Sequence, residues 1–167
     1  ESLSPEEREV RVYGRSRRAK GLIYWPYLSP GIKIPRQQLP STWTNYMSFD
    51  PGHRVAAALW ITVSPDSRVY FTDEMYLLFT SLEECINSIK EFEKDKPISV
   101  RIADPHIFDT PQSGGLSIGD QLSTYHNLHF IPGVNSKDAN IHDVRRLFLP
   151  EERPRLQVFD DLMNFWQ

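Results

Sequence analysis

Tyr46-Met47-Ser48-Phe49-Asp50 is a strand-like apolar alternation closed by an aspartate, and Ile98-Ser99-Val100-Arg101-Ile102-Ala103-Asp104 repeats the arrangement further along the chain. Strand ends are rigid, and a hard divalent cation needs oxygen ligands that are held still. Two strand-terminal aspartates at separated places therefore point to a metal-dependent nuclease site on an open α/β sheet.

The elements around the two strands agree. Val55–Val63 reads as a longer apolar strand, Ser64-Pro65-Asp66-Ser67 puts proline where a type I turn wants it, and Arg68–Thr72 reads as the returning strand. Together with Tyr46–Asp50 these make an antiparallel three-strand meander. Ser81 and Glu84 form a capping box ahead of a helix whose Leu82, Ile86, Ile89 and Phe92 share one face, and Pro97 stops it. Strand Ile98–Ala103 follows, then a loop from Asp104 to Gly115 and a second helix from Ser117, capped with Asp120. A short strand at Leu128–Ile131, a helix around Asn140–Leu149, a strand at Leu156–Phe159 and a helix starting within Asp160–Trp166 complete the chain. This is the order of ribonuclease H-like folds: an α/β chain whose mixed sheet joins an antiparallel meander to parallel strands, flanked by helices.

Residues 1–42 read differently. They carry a basic cluster (Arg8, Arg11, Arg15, Arg17, Arg18, Lys20) and then a proline- and aromatic-rich stretch with the punctuation of an extended lead-in. The regular domain is expected over 43–167.

Composition bounds the function. With 167 residues, 40% of them apolar and 12% aromatic, the chain is expected to fold as one domain around one core. A formal charge of -3 excludes a body that binds nucleic acid by overall charge, so any DNA contact must be a local patch. Cys85 is the single cysteine, which rules out an internal disulfide and fits a reducing compartment. No apolar run reaches membrane-spanning length and no signal peptide is present, so a soluble, cytoplasmic protein with no membrane partner is expected. The chain begins at Glu1 without methionine, as an excised domain or processed product would.

In a ribonuclease H-like sheet the strands ending at Asp50 and Asp104 are parallel neighbours about 4.8 Å apart. Two carboxylates so close repel, and a divalent cation between them removes the repulsion and orients a water for attack on phosphorus. The competing reading is that each merely caps a turn, in Asp50-Pro51-Gly52 and Asp104-Pro105. Asp73 and Glu74 are expected at the end of the third strand, roughly 10 Å from Asp50 across an intervening strand. There they would orient substrate or simply face solvent. His53 and His106 follow the aspartates closely and could orient water or bind phosphate. Arg145 and Arg146 could contact the DNA backbone. The tryptophans Trp25, Trp43, Trp60 and Trp166 read as packing. The sequence has no GxxxxGK[ST] loop, no HExxH and no GxSxG, so nucleotide hydrolysis and serine chemistry find no support.

Gly21-Leu-Ile-Tyr-Trp-Pro-Tyr, Ile34-Pro, Trp43, Met47-Ser-Phe-Asp-Pro-Gly, Ala57-Ala-Leu-Trp, Val69-Tyr-Phe-Thr-Asp-Glu-Met-Tyr and Ile102-Ala-Asp-Pro occur in this order. Gly115-Leu-Ser-Ile-Gly-Asp, Asp143-Val-Arg-Arg-Leu-Phe and Arg155-Leu-Gln-Val-Phe continue the series. The ordered set resembles the C-terminal nuclease domain of tailed-phage terminase large subunits over nearly the whole chain. That resemblance implies a two-metal-ion endonuclease that cuts concatemeric viral DNA with Mg2+ or Mn2+ in the cytoplasm of an infected bacterium. Its partners would be double-stranded DNA, a terminase ATPase domain, the small subunit and the portal. Position by position it makes Asp50 and Asp104 metal ligands and leaves Glu74 as a candidate catalytic acid. The basic lead-in resembles the junction that follows the motor domain, whose ATPase motifs this chain lacks.

The resemblance also implies a third metal-binding acid on a late helix after the last strand. The chain stops at Gln167 before such a segment, which leaves Asp160, with Asp161 beside it, as the candidate and suggests truncation at the C-terminus. Two rival expectations follow: a non-catalytic domain that binds DNA or packaging partners, and another ribonuclease H-like nuclease such as a resolvase.

Overall fold

The computed structural model describes residues 31–52, 54–134, 136–148 and 154–166. Its centre is the expected meander: β2 (Thr44–Pro51), β3 (Val55–Val63) and β4 (Val69–Leu78) pair antiparallel. β5 (Val100–Ala103) adds parallel to β2, and β6 (Phe130–Pro132) adds parallel to β5. On the other side β7 (Leu156–Phe159) runs parallel to β4, and β1 (Lys33–Ile34) runs parallel to β7. The seven strands lie in the order β1-β7-β4-β3-β2-β5-β6.

Strict alternation in β3, buried at every second residue, gives the sheet two apolar faces. Met47, Phe49, Ala56, Ala58, Trp60 and Met75 form one core with Cys85, Ile86 and Ile89 of α1 (Leu82–Glu93) and Leu122 of α2 (Ile118–His126). Ile32, Leu156, Val158, Phe159 and Leu162 form a second core on the opposite face. Val144 and Leu147 of α3 (Lys137–Leu147) pack against it. Both capping boxes are formed, Ser81 with Glu84 and Ser117 with Asp120. Phe92, at the end of the apolar stripe of α1, stacks on Trp60 with ring centroids 4.5 Å apart.

Three elements depart from the sequence pattern. The third strand does not end at Thr72 but runs to Leu78, because a β-bulge lies opposite Trp60 and Ile61. Trp60 pairs with Asp73 and Ile61 with Phe71, so Thr72 is the extra residue, and its hydroxyl donates to the Trp60 carbonyl at 3.3 Å. One extra residue reverses the alternation. Tyr70 is buried on the α1 face before the bulge and Met75 after it. Asp73 and Glu74 are therefore inside the strand and not at its end.

The second departure is the lead-in. Ile32 is fully buried and Lys33–Ile34 joins the sheet, so its last residues serve the fold, while residues 1–30, with the basic cluster and Trp25, lie outside the described residues. Arg36, just after β1, donates to the Thr72 carbonyl at 2.7 Å and to the carboxylates of Asp73 and Asp161, tying β1 to β4 and to the segment after β7. The third departure is Asp160–Trp166, which forms turns and not a helix. Leu162, Phe165 and Trp166 pack on the second core and the Trp166 amide reaches the Leu162 carbonyl at 3.3 Å, but the Asn164 and Phe165 amides between them donate to Glu74 of β4 and break a helical run.

Candidate metal centre

The β2–β5 register pairs Phe49 with Ala103, and the amide of Asp104 donates to the Phe49 carbonyl at 3.3 Å. Asp50 and Asp104 thus leave neighbouring parallel strands at the same level, as the sequence reading expected. Met47 and Phe49 are buried against α1, so alternation turns Ser48 and Asp50 to the other face, where both are exposed. Gly52 makes the turn after Asp50 possible. A Cβ there would lie 2.5 Å from the Val55 carbonyl oxygen, closer than side-chain carbons approach.

The two carboxylates differ in what holds them. Asp104 caps the 3-10 helix Pro105–Phe108, its Oδ1 accepting from the His106 amide at 2.8 Å. The turn-cap reading is therefore true of one oxygen, and Oδ2 has no hydrogen-bond partner among the described residues. The Asp50 carboxylate has no hydrogen-bond or ion-pair partner among the described residues. Two exposed carboxylates that directly follow paired residues of adjacent parallel strands fit the needs of a hard cation that takes oxygen ligands and keeps part of its water.

Among the described residues no group of three or more His, Cys, Asp or Glu is placed to hold a metal ion. Asp160 follows β7, three strands from β2 in the sheet order and so roughly 14 Å from the pair by strand spacing. Asp161 is committed to Arg36, whose guanidinium holds its carboxyl below the ordinary range. Arg145 and Arg146 sit on α3, over the half of the sheet that holds β7. His53 lies outside the described residues.

His106 is exposed, and its Nδ1 stands 2.9 Å from Oδ2 of Asp109. That carboxylate, with the charges of Asp104 and Asp109, raises the imidazole pKa above its ordinary value. Folding therefore favours the imidazolium. This contribution is present at low pH and is lost as pH rises through the folded-state pKa. In an NMR titration the His106 ring is expected to titrate above an unperturbed histidine and to fall back in Asp109→Asn; a midpoint equal in both proteins would rule the pairing out.

Glu74 comes to this face by way of the bulge. It pairs with Leu59, which pairs with Ser48, so the reversed alternation after Thr72 places Glu74 on the side of Asp50. Ser48, Asp50, Ala57, Leu59, Glu74 and Tyr76, together with Asn164 and Phe165, line an open groove of about 270 Å³. Sequence reasoning missed Asn164 and Phe165, because what brings them here is contact with a strand some ninety residues earlier.

No family model matches the chain, and no curated protein does. Solved structures do. The nuclease domain of the bacteriophage P22 large terminase superposes with a TM-score of 0.60 at 18% identity, over 81% of this chain and 71% of that one. The large terminase nuclease of thermophilic phage G20c gives 0.55 at 15%, over 78% and 70%. That of Thermus phage P74-26 gives 0.52 at 13%, over 78% and 68%. The mixed sheet and its order define a ribonuclease H-like fold. More narrowly, the fold is that of the nuclease domain of phage large terminases.

Proposed function

We propose that this chain is a divalent-metal-dependent DNA endonuclease that cuts concatemeric viral DNA during genome packaging. The observation that carries the reading is the exposed pair Asp50 and Asp104, at one level on adjacent parallel strands of a terminase-nuclease fold. The G20c nuclease has also been solved with bound magnesium, which supports Mg2+ or Mn2+ here. Asp50 and Asp104 would hold the cation, which when bound supplies activation of water and neutralisation of charge at phosphorus. Asp104 is oriented for this by the His106 amide. A second ion would need a further acidic ligand, which the described residues do not bring to the pair.

The chain would work in the cytoplasm of an infected bacterium with a terminase ATPase domain, the small subunit and the portal, on double-stranded DNA. With a formal charge of -3, its hold on DNA would be local and weaken steeply with salt.

Plasmid cleavage tests this. Nicking is expected with manganese or magnesium, none with chelator, and none in Asp104→Ala. Metal-independent cutting, or cutting that survives in Asp104→Ala, would refute the assignment.

A further inference from the structure

Glu74 is an acid on the face of Asp50, yet its oxygens are already engaged. Oε1 accepts from the Asn164 amide at 2.7 Å and from the Asn164 side-chain nitrogen at 3.1 Å. Oε2 accepts from the Phe165 amide at 2.9 Å. Three donors converge on one carboxylate, and hydrogen bonds to an ionised acceptor are the strong ones.

The turn they secure is seated elsewhere as well. Phe165 meets Phe71 edge to face at 5.5 Å, and the Trp166 indole donates to the Phe159 carbonyl at 2.8 Å. Asn164 and Phe165 are also walls of the groove that reaches Asp50. Across that groove Asp50, Ala57 and Tyr76 lie in one row of the sheet. The small Ala57 leaves room between the aspartate and the tyrosine.

We infer that Glu74 is a positioning residue: it fastens the Asn164–Phe165 turn as the far wall of the groove opening on Asp50, and so sets where a DNA strand lies against the aspartate pair. The bulge at Thr72 is what makes this possible, since without it Glu74 would face α1. The inference rests on the nuclease reading for its DNA and on the hydrogen bonds for its geometry.

Three measurements on Glu74→Gln and Asn164→Ala test it. Glutamine keeps the shape but only one accepting oxygen, so amide hydrogen exchange at Phe165 should rise about tenfold in Glu74→Gln. Both variants should raise the KM for DNA cleavage more than they lower kcat, because they move the substrate wall and leave the aspartates in place. Manganese affinity should stay at the parental value in both, while Asp50→Asn loses it.

Lower manganese affinity in Glu74→Gln with a silent Asn164→Ala would make Glu74 a metal ligand and overturn the inference. Unchanged exchange and unchanged KM would overturn it too. Because exchange needs no cleavage, a failure of the nuclease reading is seen separately, as absence of cutting by the parent chain.

Discussion

Asp50→Asn is expected to lower metal-dependent cleavage by about 10³-fold or more, since a cation lost from the site forfeits several kcal/mol of transition-state stabilisation. The fold should not notice. Asp50 is exposed and its carboxylate has no partner among the described residues, so the substitution belongs with surface changes that stay within about 0.5 kcal/mol. Removing one of two adjacent like charges acts, if anything, in favour of the folded state. The variant should still shift DNA in a gel and melt with the parent. Parental cleavage by Asp50→Asn would remove the pair from the chemistry, and loss of the melt would make Asp50 a structural residue instead.

The meander and the two aspartate-bearing strands were legible because their signals are local. Apolar alternation marks β2 and β3, and a reciprocal Ser–Glu or Ser–Asp box marks the start of each of the first two helices. The parallel neighbourhood of Asp50 and Asp104 followed once the order of elements was matched to a ribonuclease H-like fold. What failed was whatever depends on a single irregular residue or on distant contact. Alternation read through Arg68–Thr72 must stop at Asp73-Glu74, because period two cannot foresee that Thr72 is extra and that the parity reverses after it. Ile32 and β1 carry too short an apolar signal to be told from a loop until β7 is there to pair with them.

The site was legible to the same depth. Asp50 and Asp104 leave adjacent parallel strands as the pattern implied, whereas Asp73 and Glu74 lie inside β4 and not at its end. Glu74 was noticed for its charge, but its role as an acceptor for Asn164 and Phe165 is written in no stretch of sequence. Asp160, chosen for closeness to the chain end, lies three strands away because β7 inserts next to β4 and not beside β5.

Arg101→Met should cost about 3 kcal/mol of folding stability, near the lower bound for breaking a buried ion pair by removing one partner. Arg101 is the β5 residue paired with Met47, on the face that carries α1. Its Nε lies 3.2 and 3.0 Å from the two oxygens of Glu93, and Nη2 lies 2.5 Å from one of them. Glu93 ends α1 with its side chain only 7% exposed, and Arg101 is 19% exposed. The Trp60 indole, at 3.4 Å, is a long second donor to the same carboxylate and cannot replace the guanidinium. Removing the arginine strands a buried charge, whereas removing both charges does not. Arg101→Met with Glu93→Leu should therefore recover most of the loss. By the usual entropy of unfolding, the single variant should melt about 10 °C lower. Urea titration of both proteins checks this, and a double variant no more stable than the single one would show that the pair is not what holds α1 to β5. The same tie should reach the aspartate pair, because Asp104 directly follows β5. If α1 steadies that strand through Arg101, the single variant cuts more slowly even at temperatures where it is fully folded.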